Sequence, residues 1–427
     1  SFSLQGPDSY AVEAEPPPAF ASAELAAEMA ELYWMALLRD VPFADYESDA
    51  LANEAAADLS KLPGFRGLKD KKTGKVTPRT LFRSGYPGTD AGPFVSQFLL
   101  LDYVLDGLDI KQKIQTPVKG LDYLTAYDEW LAAQNGFPEG TEPAPEALDK
   151  TPRYVRNARD LGWTADTSLL FTTYFKVVLI LFALDTAALD DGNPYKRSRS
   201  QSPFSKFGLG HLISLLGHVG PVPQAGVHKW QVHRFFRPEA FGGRVHNHLT
   251  KAAQYPIHES LLNSAVLERV FKHNERVNKK RQVGGGKGTY LLPQQFGFGS
   301  PSHPSFPAGH GMAAGLGVTL LKAWYDQDFV LPDFLTFKPN KAGTALEPYV
   351  AGKDGPPLTL GGELNKLAHN ITWGRNMSGV HFRHDGTESN KMGEEAAVRI
   401  LAEEASTYAE PFEGFSLTKF DGTKITV

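Results

Sequence analysis

The chain has 427 residues, 41% of them hydrophobic and 22% charged, and a net charge of −4. This balance fits a globular protein with a large core and excludes a broadly basic nucleic-acid binder. Cysteine is absent and only 5 methionines occur, which rules out a disulfide framework, a thiolate metal site and a cysteine nucleophile.

The opening residues, SFSLQGPDSY, show neither the basic nor the apolar region of a signal peptide. A soluble chain is expected, its compartment left open, and Pro16, Pro17 and Pro18 predict an extended arm. Leu25, Met29, Leu32, Met35 and Ala36 recur at helical spacing, which predicts a helix over 22–39. A second helix follows over 46–59, and Gly, Pro and Lys residues mark 63–93 as a long loop. Further helices are predicted over 92–105, 121–134, 167–184, 206–219, 222–237, 257–278, 307–325, 362–378 and 387–406. The most apolar stretch, 169–184, contains Thr172, Thr173 and Lys176 and falls short of the ~20 residues that span a bilayer. It reads as a buried core helix, and no membrane partner is expected. The tail, FSLTKFDGTKITV, sets an Asp-Gly turn between β-prone residues and predicts a hairpin. The expected fold is mainly α, helical bundles with a short C-terminal β-hairpin. Residues 1–210 form a helical half for packing and assembly, 211–410 a half carrying the chemistry, and 411–427 the hairpin tail.

All 13 histidines lie between His211 and His384. Residues 227–251 add Lys229, Arg234, Arg237, Arg244 and Lys251 against the single acid Glu239, a local excess of positive charge that points to an anion. Three segments could converge on it. On one helix, Lys229 and Arg237 would stand about 80° apart in azimuth and about 12 Å apart along the axis, with Pro238 placing Arg237 near a helix end. In Pro301-Ser-His303-Pro-Ser-Phe-Pro307-Ala308-Gly309-His310, a helix starting near Pro307 would aim free N–H groups at an anion, with His310 in its first turn. In Gly374-Arg375-Asn-Met-Ser-Gly-Val-His381-Phe-Arg-His384-Asp385, Asp385 is spaced to orient the His381 ring. Each segment alone is explained equally well by a solvated basic face, a Pro/Gly turn with an incidental histidine, or a helix end whose cations face the dipole. Together they hold the donors for a buried oxyanion, phosphate or vanadate alike.

The pattern Lys229…Arg237-Pro238, Pro307-Ala308-Gly309-His310 and Arg375…His381…Asp385 resembles the vanadium-dependent haloperoxidases, which share this signature with histidine acid phosphatases of the phosphatidic-acid-phosphatase superfamily. ELYWMALLRDVPF, LFRSGYPGTDAGPFVSQFLL, DYLTAYDEWLAAQNG, HPSFPAGHG and GELNKLAHNITWGRNMSGVHFRHDG are similar to the bromoperoxidase branch of algae and cyanobacteria. The spacing from Lys229 to Arg237 also resembles that branch, the phosphatases having one residue fewer.

The resemblance implies helical bundles around a vanadate site. His381 would ligate vanadium. Lys229, Arg237, Arg375, Gly309 and His310 would hydrogen-bond vanadate oxygens, with Ala308 at the position of another such donor. His310 would act as acid and base, Lys229 would polarise the peroxide, and His303 would stand where the branch carries a histidine linked to bromide oxidation. The substrates implied are hydrogen peroxide, a halide (bromide or iodide) and small organic acceptors. A homo-oligomer and structural calcium are also implied. Ala308 departs from the family, which has serine there; a hydroxyl donor to a charged oxygen is worth about 1.5–3 kcal/mol, so weaker vanadate binding or altered halide preference is expected. The competing activity is that of a phosphatase, with His381 attacking phosphate and His310 protonating the leaving group.

Overall fold

The computed structural model describes residues 5–8, 11–137, 139–231 and 234–427, the side chains of 224–225 and 228–229 excepted. Its helices are α1 (Ala23–Leu37), α2 (Ala50–Leu59), α3 (Tyr127–Gln134), α4 (Ala158–Thr167), α5 (Leu170–Leu181), α6 (Leu209–Leu216), α7 (Pro221–Gln231), α8 (Pro238–Leu249), α9 (Glu259–Leu262), α10 (Val266–Arg281), α11 (Gly309–Trp324), α12 (Leu360–Met377) and α13 (Arg383–Ala405). Antiparallel pairs β1 (Tyr103–Leu105) with β2 (Leu108–Ile110), β3 (Phe337–Pro339) with β4 (Leu346–Pro348) and β5 (Ser416–Thr418) with β6 (Lys424–Thr426) complete the fold. The last is the expected C-terminal hairpin, with Leu417 opposite Ile425.

The centre of the molecule is built from α1, α11, α12 and α13. Ser22 caps α1 by accepting the Leu25 N–H at 3.1 Å, and the helix is buried from Leu25 to Ala36. Two of its acids hold the start of α13: Glu31 accepts Arg383 Nε at 2.8 Å, and Glu28 accepts the His384 N–H at 3.1 Å. Carboxylates at a helix N-terminus are favoured by the dipole. Along its length α13 packs on α11, and glycines set that distance. A Cβ on Gly315 would fall 2.1 Å from the Asn390 carbonyl oxygen, and one on Gly393 2.1 Å from that of Met312. α12 is buried throughout and lies against α4, where a Cβ on Gly374 would come within 2.9 Å of the Leu161 oxygen. The start of α11, the end of α12 and the start of α13 meet at one place, where the site lies.

Several predicted elements are corrected. Residues 92–105 form only a short turn of 3-10 helix (Gln97–Leu99) before β1. Their donors are claimed by α12: the Ser96 N–H goes to Asn370 Oδ1 at 2.7 Å and the Gln97 N–H to Glu363 Oε2 at 2.8 Å. The helix expected over 257–278 breaks into α9 and α10, because Asp58 accepts Ser264 Oγ at 2.6 Å and the Ala265 N–H at 3.3 Å. The stretch 169–184 becomes α5, bent by 106° from α4, and it is not wholly buried. Tyr174, Val177 and Leu181 face the core, but Leu169 and Phe182 are 72% and 69% exposed. Among the described residues no single helix is long and apolar enough to cross a membrane.

Candidate oxyanion-binding active site

The second segment behaves as its sequence predicts. Ala308 is the N-cap of α11, with no side-chain cap hydrogen bond, so the first-turn N–H groups are left for an anion. The Ala308 N–H itself donates to Ser389 Oγ at 2.8 Å, which ties this turn to α13.

The first segment needs a correction. Lys229 and Arg237 do not share a helix: α7 stops at Gln231, and Arg237 adopts extended backbone (φ −79°, ψ 154°) as the N-cap of α8. Pro238 takes the first helical position and disfavours helix at the residue before it. Lys229 lies on α7, its side chain outside the described residues. The Arg237 guanidinium is buried; Nε donates to the His303 oxygen at 3.0 Å and Nη1 to the Val380 oxygen at 2.9 Å. Nη1 also lies 3.2 Å from His381 Nε2, and Nη2 lies 3.2 Å from His303 Nδ1.

The third segment supplies the other wall. Arg375, in the last turn of α12, is 4% exposed. Its Nη1 pairs with Asp166 at the end of α4, and its Nε is buried without a partner among the described residues. Gly379 adopts φ 92°, a conformation glycine takes without strain, and carries the chain to His381, buried ahead of α13. His381 Nδ1 lies 3.2 Å from Asp385 Oδ2, which also accepts the Phe382 N–H at 2.9 Å and the Ser305 hydroxyl. Asp385 therefore fixes the ring and directs a proton to Nδ1, leaving Nε2 toward Arg237.

The structure thus brings together Arg237, His303, Ala308, Gly309, His310, Arg375, His381 and Asp385. Sequence reasoning missed Asp166, Ser305 and Ser389. Ser305 lay inside a quoted motif but was given no task. Asp166 sits on a helix that was not predicted at all.

The electrostatics are those of a place built for negative charge. Burial, then the nearby Arg375, His381 and His303, lower the His310 pKa to about 3. Burial, then Arg237 and Arg375, hold His381 well below the usual imidazole range. Burial lowers Arg237 to about 10, with Arg375 repelling it and Asp385 partly compensating. An oxyanion would relieve each of these costs. It would also supply the acceptor missing at Arg375 Nε, so the residues fit a group such as vanadate. Among the described residues no three histidine, aspartate or glutamate side chains are grouped to hold a metal ion. An oxyanion joined through one ring nitrogen needs no such group.

A stability effect follows from His310. Its pKa is about 3 folded and 6.5 unperturbed, so between these values the unfolded chain binds more protons. Its contribution is full above about pH 6.5 and is lost as pH falls toward 3. Thermal melts of the vanadate-free protein between pH 7 and 4 should show Tm falling, and His310→Gln should flatten that fall. An unchanged slope in the variant would show that His310 is not the group responsible.

No family model matches the chain. It is 39% identical over 417 residues to a vanadium-dependent bromoperoxidase of Ascophyllum nodosum, covering 95% of this chain and 72% of that protein. It is 32% identical to one of Corallina officinalis, covering 100% of this chain and 78% of the relative. Among solved structures, the second vanadate-dependent bromoperoxidase of Ascophyllum nodosum, a homohexamer, superposes with a TM-score of 0.90 at 33% identity, covering 99% of this chain and 74% of that one. With similarity over nearly all of this chain in both sequence and fold, the chain belongs to the vanadium-dependent bromoperoxidases.

Proposed function

We propose that the chain uses vanadate held on His381 to oxidise bromide or iodide with hydrogen peroxide, giving hypohalous acid that halogenates small organic acceptors. When bound, vanadate supplies a pentavalent Lewis acid, so no redox-active protein residue is needed. The observation that carries the reading is the His381 ring, locked by Asp385 with Nε2 beside Arg237, next to an arginine Nε with no acceptor. His381 is the ligand. Arg237, Arg375 and the Gly309 N–H would bind and orient the oxygens, their charge preorganised in a buried pocket, and the family resemblance assigns Lys229 to the same task. Asp166 holds Arg375 in place through Nη1 while Nε faces the anion. His310 is neutral in the vanadate-free pocket, and the charge of a bound oxyanion would raise its basicity so that it can accept the proton that hydrogen peroxide gives up. Lys229 polarises the oxidant. His303, at the exposed rim and 3.0 Å from Gln231 Nε2, stands on the approach of the halide. Assembly as a homo-oligomer accompanies this reading, and the exposed Leu169 and Phe182 at the two ends of α5 offer apolar surface for it.

Vanadate added to the metal-free protein should produce bromination that depends on both peroxide and bromide, with inorganic phosphate competing. If vanadate instead only inhibits a phosphomonoesterase activity, His381 is a phosphate nucleophile and the reading fails.

Ala308 gives a graded test. Ala308→Ser adds a hydroxyl at the lip of α11 and should tighten vanadate binding by roughly tenfold or more, for about 1.5–3 kcal/mol. Had the new hydroxyl capped α11 instead, the vanadate-free protein would gain about 1 kcal/mol with unchanged vanadate affinity. Measuring Tm and the vanadate Kd together separates the two, and an unchanged Kd contradicts the expectation.

A further inference from the structure

We propose that the cleft between Phe43, Phe94 and Lys338 is a second anion site, built for a small organic carboxylate with a flat apolar body. The cleft encloses about 270 Å³, and none of its lining residues belongs to the oxyanion pocket. This is just under the roughly 300–1,000 Å³ of drug-sized ligand pockets, a size for a single-ring molecule.

Arg83 is the anchor. It lines the cleft, is only 7% exposed, and forms no ion pair among the described residues. Instead Nε donates to the Arg79 oxygen at 3.0 Å, Nη1 to the Thr89 oxygen at 2.5 Å and Nη2 to the Gly92 oxygen at 3.2 Å. A guanidinium has five N–H bonds, so these three leave two. Asp90, Glu363 and Glu47 act on Arg83 only at longer range; Glu363 is committed to Lys366 at 2.6 Å, and Glu47 is exposed. Buried charges are ordinarily paired, and a cation facing a cavity without its counter-ion is a seat for an anion.

Tyr46, 3% exposed, adds to the cleft wall. The rim adds Arg79, Arg156, Lys338 and Lys341 against Glu47 and Asp354. Lys338 pairs with Asp354 at 2.9 Å, Lys341 with Asp45 at 2.9 Å and Arg156 with Asp160 at 3.3 Å. Arg79 has no ion pair among the described residues. The apolar wall is Phe43 stacked on Phe94 at 4.0 Å, with the Arg83 guanidinium 5.0 Å from the Phe94 ring centre. A carboxylate would meet Arg83, with Arg79 at the rim, while its ring lies on this wall, which a bare inorganic anion would leave uncovered.

The test is calorimetric titration of the vanadate-loaded full chain with benzoate, so that the first anion site is filled. Saturable binding is expected, with benzyl alcohol failing to displace benzoate. Arg83→Gln should weaken it by about tenfold or more, and Arg79→Gln by a few-fold, as for lost charge-assisted hydrogen bonds. Because Arg83 also ties three carbonyls, Arg79→Gln keeps the test decisive if Arg83→Gln fails to fold. The proposal is overturned if benzoate shows no saturable binding up to millimolar concentration, or if Arg79→Gln binds it as wild type does. It is likewise overturned if benzyl alcohol or inorganic phosphate binds the cleft as tightly.

Discussion

His381→Ala is expected to retain no vanadium after dialysis and to oxidise bromide no faster than the metal-free protein. The ring offers a nitrogen lone pair from a fixed direction. Asp385 accepts from Nδ1 at 3.2 Å, and Ser305 and the Phe382 N–H hold that carboxylate in turn. Alanine leaves Arg237 and Arg375 in place, so the pocket would still attract oxyanions weakly without holding one covalently. The fold should survive: Asp385 keeps two of its donors, and a lost buried hydrogen bond costs about 1–3 kcal/mol, to be checked as a lowered but cooperative melt. Vanadium retained at the wild-type level would contradict the coordination.

The largest stability effect is expected at Asp122, buried beneath the helices that carry the site. Its carboxylate pairs with Arg39, with Arg159 Nη2 at 3.0 Å and with His273 Nε2 at 2.8 Å. Burial alone would raise its pKa, but Arg39, Arg159 and His273 outweigh this and hold it well below the carboxylate range. Asp122→Ala would strip Arg39 of its carboxylate and leave Arg159 only Asp40, a change of about 3–5 kcal/mol for a broken buried network. Denaturant unfolding measures it directly, and a loss under about 1 kcal/mol would show that the network relaxes. The effect should reach the site as well. Arg39 Nε donates to the Met377 oxygen at the end of α12 at 3.1 Å, and Arg159 lies on α4, the helix that carries Asp166. The variant is therefore also expected to bind vanadate more weakly.

Where local signals agreed with tertiary packing, the fold could be read from sequence. The apolar stripe gives α1, the Pro-Ala-Gly-His run gives the start of α11, and the Asp-Gly turn gives the last hairpin. Reading failed where distant partners overrode local pattern. α4 was missed because Arg159 and Asp160 are buried by pairing and so break the apolar stripe that marks a helix. α8 was missed because its glycines look like breakers. One of them, Gly243, exists for packing: a Cβ there would fall 1.9 Å from Trp130. The residues that converge in the candidate site could be picked out because charge, glycine and proline in three segments suggest an anion pocket when taken together, though not singly. Which helix each one belonged to was not legible, as Arg237 shows. Asp166 and Ser389 are ordinary residues whose roles arise only from what α12 and α11 bring beside them.

The most direct test of the central claim is the vanadium content of the dialysed, vanadate-reconstituted protein, measured together with its halide-dependent peroxidase rate. The account predicts one vanadium per chain, with a bromide-dependent rate that rises in proportion to vanadium bound. Vanadium that dialyses away, or a rate indifferent to the vanadium retained, would contradict it.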